Sequence, residues 1–339
     1  MEAVVSERLS RPRQRYLITG GAGFIGSHLA ELLVRHGHSV TAVDNLVTGQ
    51  VENLQSLKLN PNFDFVEDSV LNEKLMGMLV PRHDVVIHLA AAVGVKWIIE
   101  NPLLSIHTNI RATEIVLDAA SHSGTKVLVA STSEVYGKNP KPVLSEEDDS
   151  VIGATHITRW LYANTKATDE FLALAYHRDK DLPVIITRFF NTVGPRQTGR
   201  YGMVVPRFVR QALAGEPITV FGDGSQTRCF TDVRDSIRAV AELCEMPEAV
   251  GQVFNIGNPR EISFTGLAET IRRMTDSHSE LHYIPYEEAF PVGFEDMERR
   301  VPSTVKLERY LGWAPGISLE ANLARIIEFE RHGVLAGVD

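Results

Sequence analysis

A short apolar run, Arg15–Thr19 (RYLIT), ends in Thr19-Gly20-Gly21-Ala22-Gly23-Phe24-Ile25-Gly26. Beyond it Ile25, Leu29, Leu32 and Leu33 recur at helical spacing as far as Arg35. A strand, a glycine turn and a helix in immediate succession leave few folds open. Gly20 can take the tight turn, Gly23 lets backbone approach a pyrophosphate, and Gly26 lets the helix pack close to the sheet. The first turn of that helix, with Phe24 and Ile25, offers N–H groups and the positive end of a dipole to phosphate. Asp44 lies 18 residues beyond Gly26, in Val43-Asp44-Asn45-Leu46 at the end of a second apolar run. A carboxylate there accepts hydrogen bonds from a ribose diol and repels a 2′-phosphate, which selects NAD over NADP. Asp68, after a third run, either reaches the adenine or is an exposed turn residue.

The same alternation continues down the chain. Ser39–Val43, Phe63–Val66, Val85–Leu89 and Lys126–Ala130 read as short strands, with helical patterns between several of them, notably across Thr113–Ala120. This predicts right-handed crossovers and an α/β, Rossmann-type, doubly wound parallel sheet with helices on both faces. The regular pattern lasts to about Ile186. Later residues are richer in Pro, Gly and Arg, with short pieces at Ile218–Phe221, Val253–Ile256 and His282–Ile284. The expected organisation is a flexible tail over 1–14, a dinucleotide-binding domain over 15–190, and a smaller C-terminal substrate-binding lobe over 191–335. Val184–Phe190, and part of 230–260, are expected to join the main sheet. A chain of 339 residues, 44% hydrophobic and 23% charged, has ample material for such a core.

The glycine spacing is GxxGxxG, and here the chain resembles the extended short-chain dehydrogenase/reductase family, which acts on nucleotide-diphosphate sugars. The resemblance covers nearly the whole chain. His88-Leu89-Ala90-Ala91 is similar to that family's next cofactor-contacting turn. Three further segments carry the chemistry: Ser131-Thr132-Ser133-Glu134-Val135-Tyr136-Gly137, Tyr162-Ala163-Asn164-Thr165-Lys166, and Arg188-Phe189-Phe190-Asn191-Thr192-Val193-Gly194-Pro195-Arg196. Tyr162 and Lys166 are four apart and share a helix face. A tyrosine has a pKa of about 10, so acting as a base at neutral pH needs a shift of about three units, or about 4 kcal/mol. Lys166 and an oxidised nicotinamide are the two positive charges expected to supply it. Thr132 is expected to hold the same sugar hydroxyl.

The resemblance implies removal of hydride from sugar C4 as the first step, with Tyr162 taking the hydroxyl proton. The family's 4,6-dehydratases carry an Asp after the catalytic Thr, whereas this chain has Ser133. UDP-glucuronate decarboxylases carry Ser-Glu, as here. Gly153…Thr158-Arg159-Trp160-Leu161-Tyr162, Arg228–Asp235 and Phe294–Ser303 are similar to the decarboxylase domain of the bacterial aminoarabinose lipid A pathway, and Arg300 falls on its active-site arginine. Oxidation at C4 makes the C5 carboxylate part of a β-keto acid. Glu134 and Arg300 are then expected to orient that carboxylate and manage protonation at C5. The chain departs from animal and plant UDP-xylose synthases at Val93-Gly94-Val95-Lys96-Trp97.

The implied activity is an NAD-dependent UDP-glucuronate decarboxylase, giving a UDP-4-keto-pentose, UDP-xylose or both. An NAD-dependent 4-epimerase of a UDP-sugar or UDP-uronate and a catalytically silent NAD or sugar binder are the alternatives. Resemblance marks Asn191, Arg228 and Arg207 for the diphosphate, with Arg196 and Arg200 flanking the same loop. Phe221 is a uracil-packing residue or a core residue with equal weight. A net charge of -9 argues against nucleic acid as partner. Two cysteines without ligand spacing argue against a disulfide framework or zinc site, and no apolar run approaches the roughly 20 residues of a membrane span. A cytoplasmic homodimer, packed through the helix bearing Tyr162 and the long helix before it, is the expected state.

Overall fold

Val, Ile and Thr side chains suit a pleated surface covered on both faces, so the apolar runs become strands. The computed structural model describes residues 12–336 except 93, 95–97, 99, 200–202, 290–294, 296 and 298. Its strands are β1 (Arg15–Thr19), β2 (Ser39–Asp44), β3 (Phe63–Glu67), β4 (Val85–His88), β5 (Lys126–Thr132) and β6 (Val184–Phe189). Past these come β7 (Thr192–Val193), β8 (Ile218–Phe221), β9 (Thr227–Cys229), β10 (Thr231–Asp232), β11 (Gln252–Ile256), β12 (Glu261–Ser263) and β13 (Leu281–Ile284). A seven-stranded parallel sheet runs in the order β11-β6-β5-β4-β1-β2-β3. The chain winds outward from β1 to β3, then restarts at β4 on the other side of β1. That reversal opens a crevice at the carboxyl ends of β1 and β4, where sheets of this kind bind ligands.

The helices are α1 (Phe24–Arg35), α2 (Glu73–Leu79), α3 (Pro102–Ile106), α4 (Ala112–Ser123), α5 (Leu161–Lys180) and α6 (Val204–Ala214). They continue with α7 (Val233–Cys244), α8 (Phe264–Met274), α9 (Tyr286–Ala289), α10 (Val305–Leu311) and α11 (Leu319–Ala336). One face of the sheet buries Leu29 and Leu33 of α1, Ile237 and Val240 of α7, and Leu307 of α10. The opposite face buries Met76 of α2, Val116 and Leu117 of α4, and Ala173 of α5. Chain beyond residue 190 therefore serves the main sheet through β11, α7 and α10. A third core holds α6, α8 and α11 around β8, with Phe208, Leu267 and Ile326 buried. There β8 pairs in parallel with β13, and β9 pairs antiparallel with β12.

Between α3 and α4 the helix makes one π turn, His107–Arg111. The wider turn carries Asn109, whose Oδ1 accepts from Ala92 N at 2.7 Å and whose Nδ2 donates to Thr165 Oγ1 at 3.2 Å. One side chain thus ties the turn after β4 to α5.

Candidate active site

At the nucleotide end, Gly20 has φ 72°, a conformation that favours glycine, and an added Cβ would meet Ala90 N at 2.9 Å. A Cβ on Gly26 would lie 2.2 Å from Gly20 O, so α1 reaches the β1 turn only because no side chain is there. Gly23 caps α1 without any side-chain hydrogen bond, and the first turn, with Phe24 and Ile25, carries no acid. The dipole end is thus left for an anion from outside. Asp44 is buried at the end of β2 and accepts from Ala22 N at 3.0 Å and Leu46 N at 2.9 Å. Burial pushes its carboxyl up, opposed by the amides of Leu46, Ala22 and Gly23. Asn45 beside it is exposed and accepts from Val47 N. Asp68 places its amide on Asp44 O at 3.1 Å, while its carboxylate accepts from Ser69 N and Asn72 Nδ2. Both its oxygens are thus engaged in the local turn. Leu89 N and Ala90 N bond to Thr19 O and Thr19 Oγ1, placing Leu89, Ala90 and Ala91 along the rim of the glycine turn. An uncapped helix end, a glycine cradle and a buried acid at the end of β2 fit a dinucleotide.

The reacting end is assembled from three elements. The carboxyl end of β5 brings Thr132, whose Oγ1 accepts from Glu134 N at 3.3 Å and starts a 3-10 turn over Ser133–Tyr136. Helix α5 packs on β5 and on that turn, bringing Tyr162 and Lys166. The third element is the stretch before α10, which brings Arg300. Arg300 is buried and donates from Nη1 to Ser133 Oγ at 3.3 Å, with Glu134 Oε1 at 3.6 Å. Glu134, Ser133 and Arg300, 167 residues apart at the extremes, thus share one place.

Arg159 belongs to the same group, and sequence reasoning did not single it out. It lies in a 3-10 turn, Thr158–Trp160, at the entrance to α5, three residues before Tyr162. Buried itself, it clamps Glu134 with two bonds, Nη1 to Oε2 at 2.6 Å and Nη2 to Oε1 at 3.2 Å. Its signal in the sequence was a cation one helical turn ahead of the candidate base. Trp160 packs under it, with the Arg159 guanidinium 5.8 Å from the ring centre. Its Nε1 donates to Glu295 Oε2 at 2.7 Å, and Lys138 Nζ meets the same oxygen at 2.6 Å. Gly153 admits Trp160, because a Cβ there would lie 2.1 Å from Nε1.

Lys166 is ion-paired within its own helix. Its Nζ meets Asp169 Oδ2 at 2.6 Å, one turn along α5, and both side chains are buried. Burial, and then the charges of Glu134 and Asp169, push the Tyr162 phenol up from its ordinary value. The chain's own groups therefore hold the phenol's proton on, whereas the expected lowering needs Lys166 and an oxidised nicotinamide together. Burial is the largest cause, with the two carboxylates adding to it. Next to the pair lies His88, buried between Thr19 Oγ1 at 2.7 Å and Thr113 Oγ1 at 3.2 Å. Its pKa falls to about 3, through burial and then the charge of Lys166.

The residues expected to hold a nucleotide diphosphate come from the chain beyond β6. Asn191, with φ 36°, donates from Nδ2 to Cys229 O at 2.9 Å. Arg228 is buried, bonds Thr227 O at 2.9 Å and lies 5.5 Å from the Phe264 ring centre. Arg207 stacks on Phe221 at 4.1 Å and donates to Thr219 Oγ1; burial lowers its pKa to about 10. Arg196 instead turns toward α1, with Nη2 on Glu31 Oε1 at 2.7 Å and Nη1 on Ser27 Oγ at 3.3 Å. Arg200 lies outside the described residues, as do Val93, Val95, Lys96, Trp97, Phe294, Asp296, Glu298 and most of the 1–14 tail.

Comparison with known proteins adds a second line. The sequence profile of the NAD dependent epimerase/dehydratase family matches residues 16–257. A UDP-N-acetyl-alpha-D-glucosaminuronate decarboxylase of Bacillus cytotoxicus is 44% identical, covering 94% of this chain and 98% of its own. UDP-glucuronic acid decarboxylase 2 of Arabidopsis thaliana is 37% identical, covering 96% of this chain and 70% of its own. Among solved structures, UDP-glucuronic acid 4-epimerase of Bacillus cereus, in complex with UDP-glucuronic acid and NAD, superposes with a TM-score of 0.85 at 29% identity. That match covers 94% of this chain and 99% of the epimerase.

Proposed function

This chain belongs to the NAD dependent epimerase/dehydratase family, and we propose that within it the chain is an NAD-dependent decarboxylase of UDP-glucuronate. One observation carries the reading: Glu134 is clamped by Arg159 and approached by Arg300, beside Ser133, at the end of β5. A neutral UDP-sugar offers no partner for such a cationic group at C5, whereas a uronate carboxylate does, and the decarboxylases among the relatives decide for loss of that carboxylate over C4 epimerisation. Arg159 takes Glu134 in two short bonds, so Arg300, at 3.6 Å, is the arginine placed to share itself with a substrate carboxylate. The 44% identity to a relative named for the N-acetylated uronate favours a second reading, that C2 of the substrate carries an acetamido group. The decarboxylation chemistry is the same for both.

The glycine turn, the α1 amides and Asp44 would hold NAD, which would supply the acceptor for the C4 hydride. Tyr162 accepts the C4 hydroxyl proton, and Thr132 Oγ1 holds that hydroxyl in place. With C4 as a carbonyl, the C5–C6 bond breaks: CO2 leaves, and its bonding pair moves into an enolate over C5, C4 and O4. Arg300 orients the carboxylate before it leaves. Ser133, buried, and Glu134, half-buried, line the place proposed for C5, where the enolate takes a proton from water in place of the lost CO2. Arg207 and Arg228, with Phe221 stacked on Arg207, are proposed to hold the nucleotide diphosphate.

Exposed Leu103 and Leu104 on α3 and Phe171 on α5, two helices in contact, support a homodimer through this face. Cys229 and Cys244 are both unbridged and buried, which supports a cytoplasmic setting. Among the described residues no helix is long and apolar enough to cross a membrane. Incubating the protein with UDP-glucuronate and with its N-acetylated counterpart, while following CO2 and product mass, tests the function. CO2 from either supports decarboxylation and identifies the C2 group. An isobaric product means epimerisation, and no turnover of any UDP-sugar means a silent binder.

A further inference from the structure

We propose that Tyr136 is a positioning residue for the carboxylate end of the site: its buried hydroxyl ties the turn bearing Glu134 and the strap bearing Arg300 to one fixed point. This role rests on the reading that Glu134 and Arg300 meet the C5 carboxylate. Tyr136 closes the 3-10 turn in which Glu134 lies, and its side chain is buried. The phenol oxygen accepts from Arg188 Nη1 at 2.9 Å and donates to Asn255 Oδ1 at 2.7 Å. Burial pushes the phenol up to about 12, so the donated proton stays on.

The two partners lead to different parts of the site. Arg188, at the end of β6, forks onto Glu170 of α5, with Nε on Oε1 at 2.9 Å and Nη2 on Oε2 at 2.7 Å. Ser131, next to Thr132 on β5, donates to the same carboxylate. Glu170 shares its helix with Tyr162, so this branch holds the C4 end, and its fork remains when the Tyr136 hydroxyl is removed. Asn255, on β11, leads the other way. Its Nδ2 donates to Leu144 O at 3.0 Å, which also accepts from Ser303 N at 2.7 Å. Leu144 N donates to Val301 O at 2.8 Å, one residue beyond Arg300. Glu146 bridges the branches as well, its O accepting from Arg188 Nη1 at 3.3 Å and its Oε1 from Asn255 N at 2.8 Å. That bridge ends on the Asn255 main chain and leaves the amide that meets Leu144 to the phenol. A buried network whose members are paired holds one arrangement, because each alternative strands a polar group away from water. Without the hydroxyl, Asn255 Oδ1 loses its donor and the amide is released to turn from Leu144.

The test separates the two ends. In Tyr136→Phe, single-turnover NADH formation from UDP-glucuronate is expected to stay within about twofold of the parent protein, while CO2 release falls about tenfold or more, the scale of a displaced reacting geometry. Amide hydrogen exchange reads the strap without turnover: Ser303 and Leu144 are expected to exchange about tenfold faster, with the amides of β5 unchanged. NADH formation and CO2 release falling by the same factor overturns the proposal. So do Ser303 and Leu144 amides that quicken no more than those of β5. Asn255→Ala covers failure of Tyr136→Phe to fold, since it cuts the strap branch alone and leaves a polar space that admits water. The same two changes are expected from it, and their absence counts against the shared link. Combining both substitutions is expected to add little to either, because they break one connection; losses that multiply overturn it. If the parent protein releases no CO2 from any UDP-uronate, the decarboxylase reading falls, and the exchange of Ser303 and Leu144 still decides whether Tyr136 seats the strap.

Discussion

Glu134 sits on the fifth strand's exit with a guanidinium on each side, and its two neighbours act differently. Arg159 forms the parallel two-bond fork that guanidinium and carboxylate geometry allow, which fixes the plane of the carboxylate. Arg300 stands farther off and also touches Ser133. Glu134→Gln keeps the shape and removes the charge. It is expected to slow CO2 release at least tenfold more than NADH formation, read by parallel absorbance and CO2 assays. Equal loss of both rates would remove Glu134 from the decarboxylation step. Tyr162→Phe is expected to lower kcat by about a thousandfold, the usual scale of a lost general base, with the fold intact by circular dichroism. Single residues were legible where chemistry dictates spacing, as with Tyr162 and Lys166 on one helix face. Arg159 was hidden because its partner comes from another element, and sequence spacing does not report such meetings. Asp169 was within reach: it stands three residues past Lys166, where helix neighbours face each other.

At the scale of elements, the β1 turn is the most tightly determined piece. The 2.2 Å between a notional Gly26 Cβ and Gly20 O leaves no room for even one methyl group. Gly26→Ala is expected to push α1 off the sheet, costing about 1–3 kcal/mol and releasing bound NAD on desalting. Urea unfolding and cofactor content measure the two effects. Strands β1 to β6 follow the apolar runs closely, since a buried parallel strand must be apolar on both faces. Their ends were less legible: β5 extends two residues past Ala130, to Thr132, into polar sequence that only the site explains. The π turn at Asn109 had no signature at all, because its purpose is a bond to Ala92 and Thr165 supplied from elsewhere. The tie of α7 and α10 to the main sheet was likewise set by three-dimensional packing rather than by periodicity.

For the whole molecule, two expectations concern stability and assembly. His88 is buried as a neutral ring, with its pKa lowered to about 3 by burial, against about 6.5 in an unfolded chain. Below pH 6.5 the unfolded chain takes up a proton that the folded one refuses, so stability falls as the pH drops. Between pH 7 and pH 5 the loss is about 2 kcal/mol, measurable as a lower urea midpoint, and His88→Asn is expected to flatten that slope. Phe171, 76% exposed on α5, is expected to lie in the proposed dimer face. Phe171→Glu then gives a monomer in sedimentation with its helical content unchanged, and a dimeric variant would move the interface elsewhere. The chain crosses between lobes repeatedly, and Leu144 receives the strap around Arg300 through bonds from Leu144 N to Val301 O and from Ser303 N to Leu144 O. Those knots join residues more than a hundred positions apart, and closing them is slow compared with local helix formation. During refolding from urea, helical signal is therefore expected to return first and turnover afterwards, when the distant strap has found its seat.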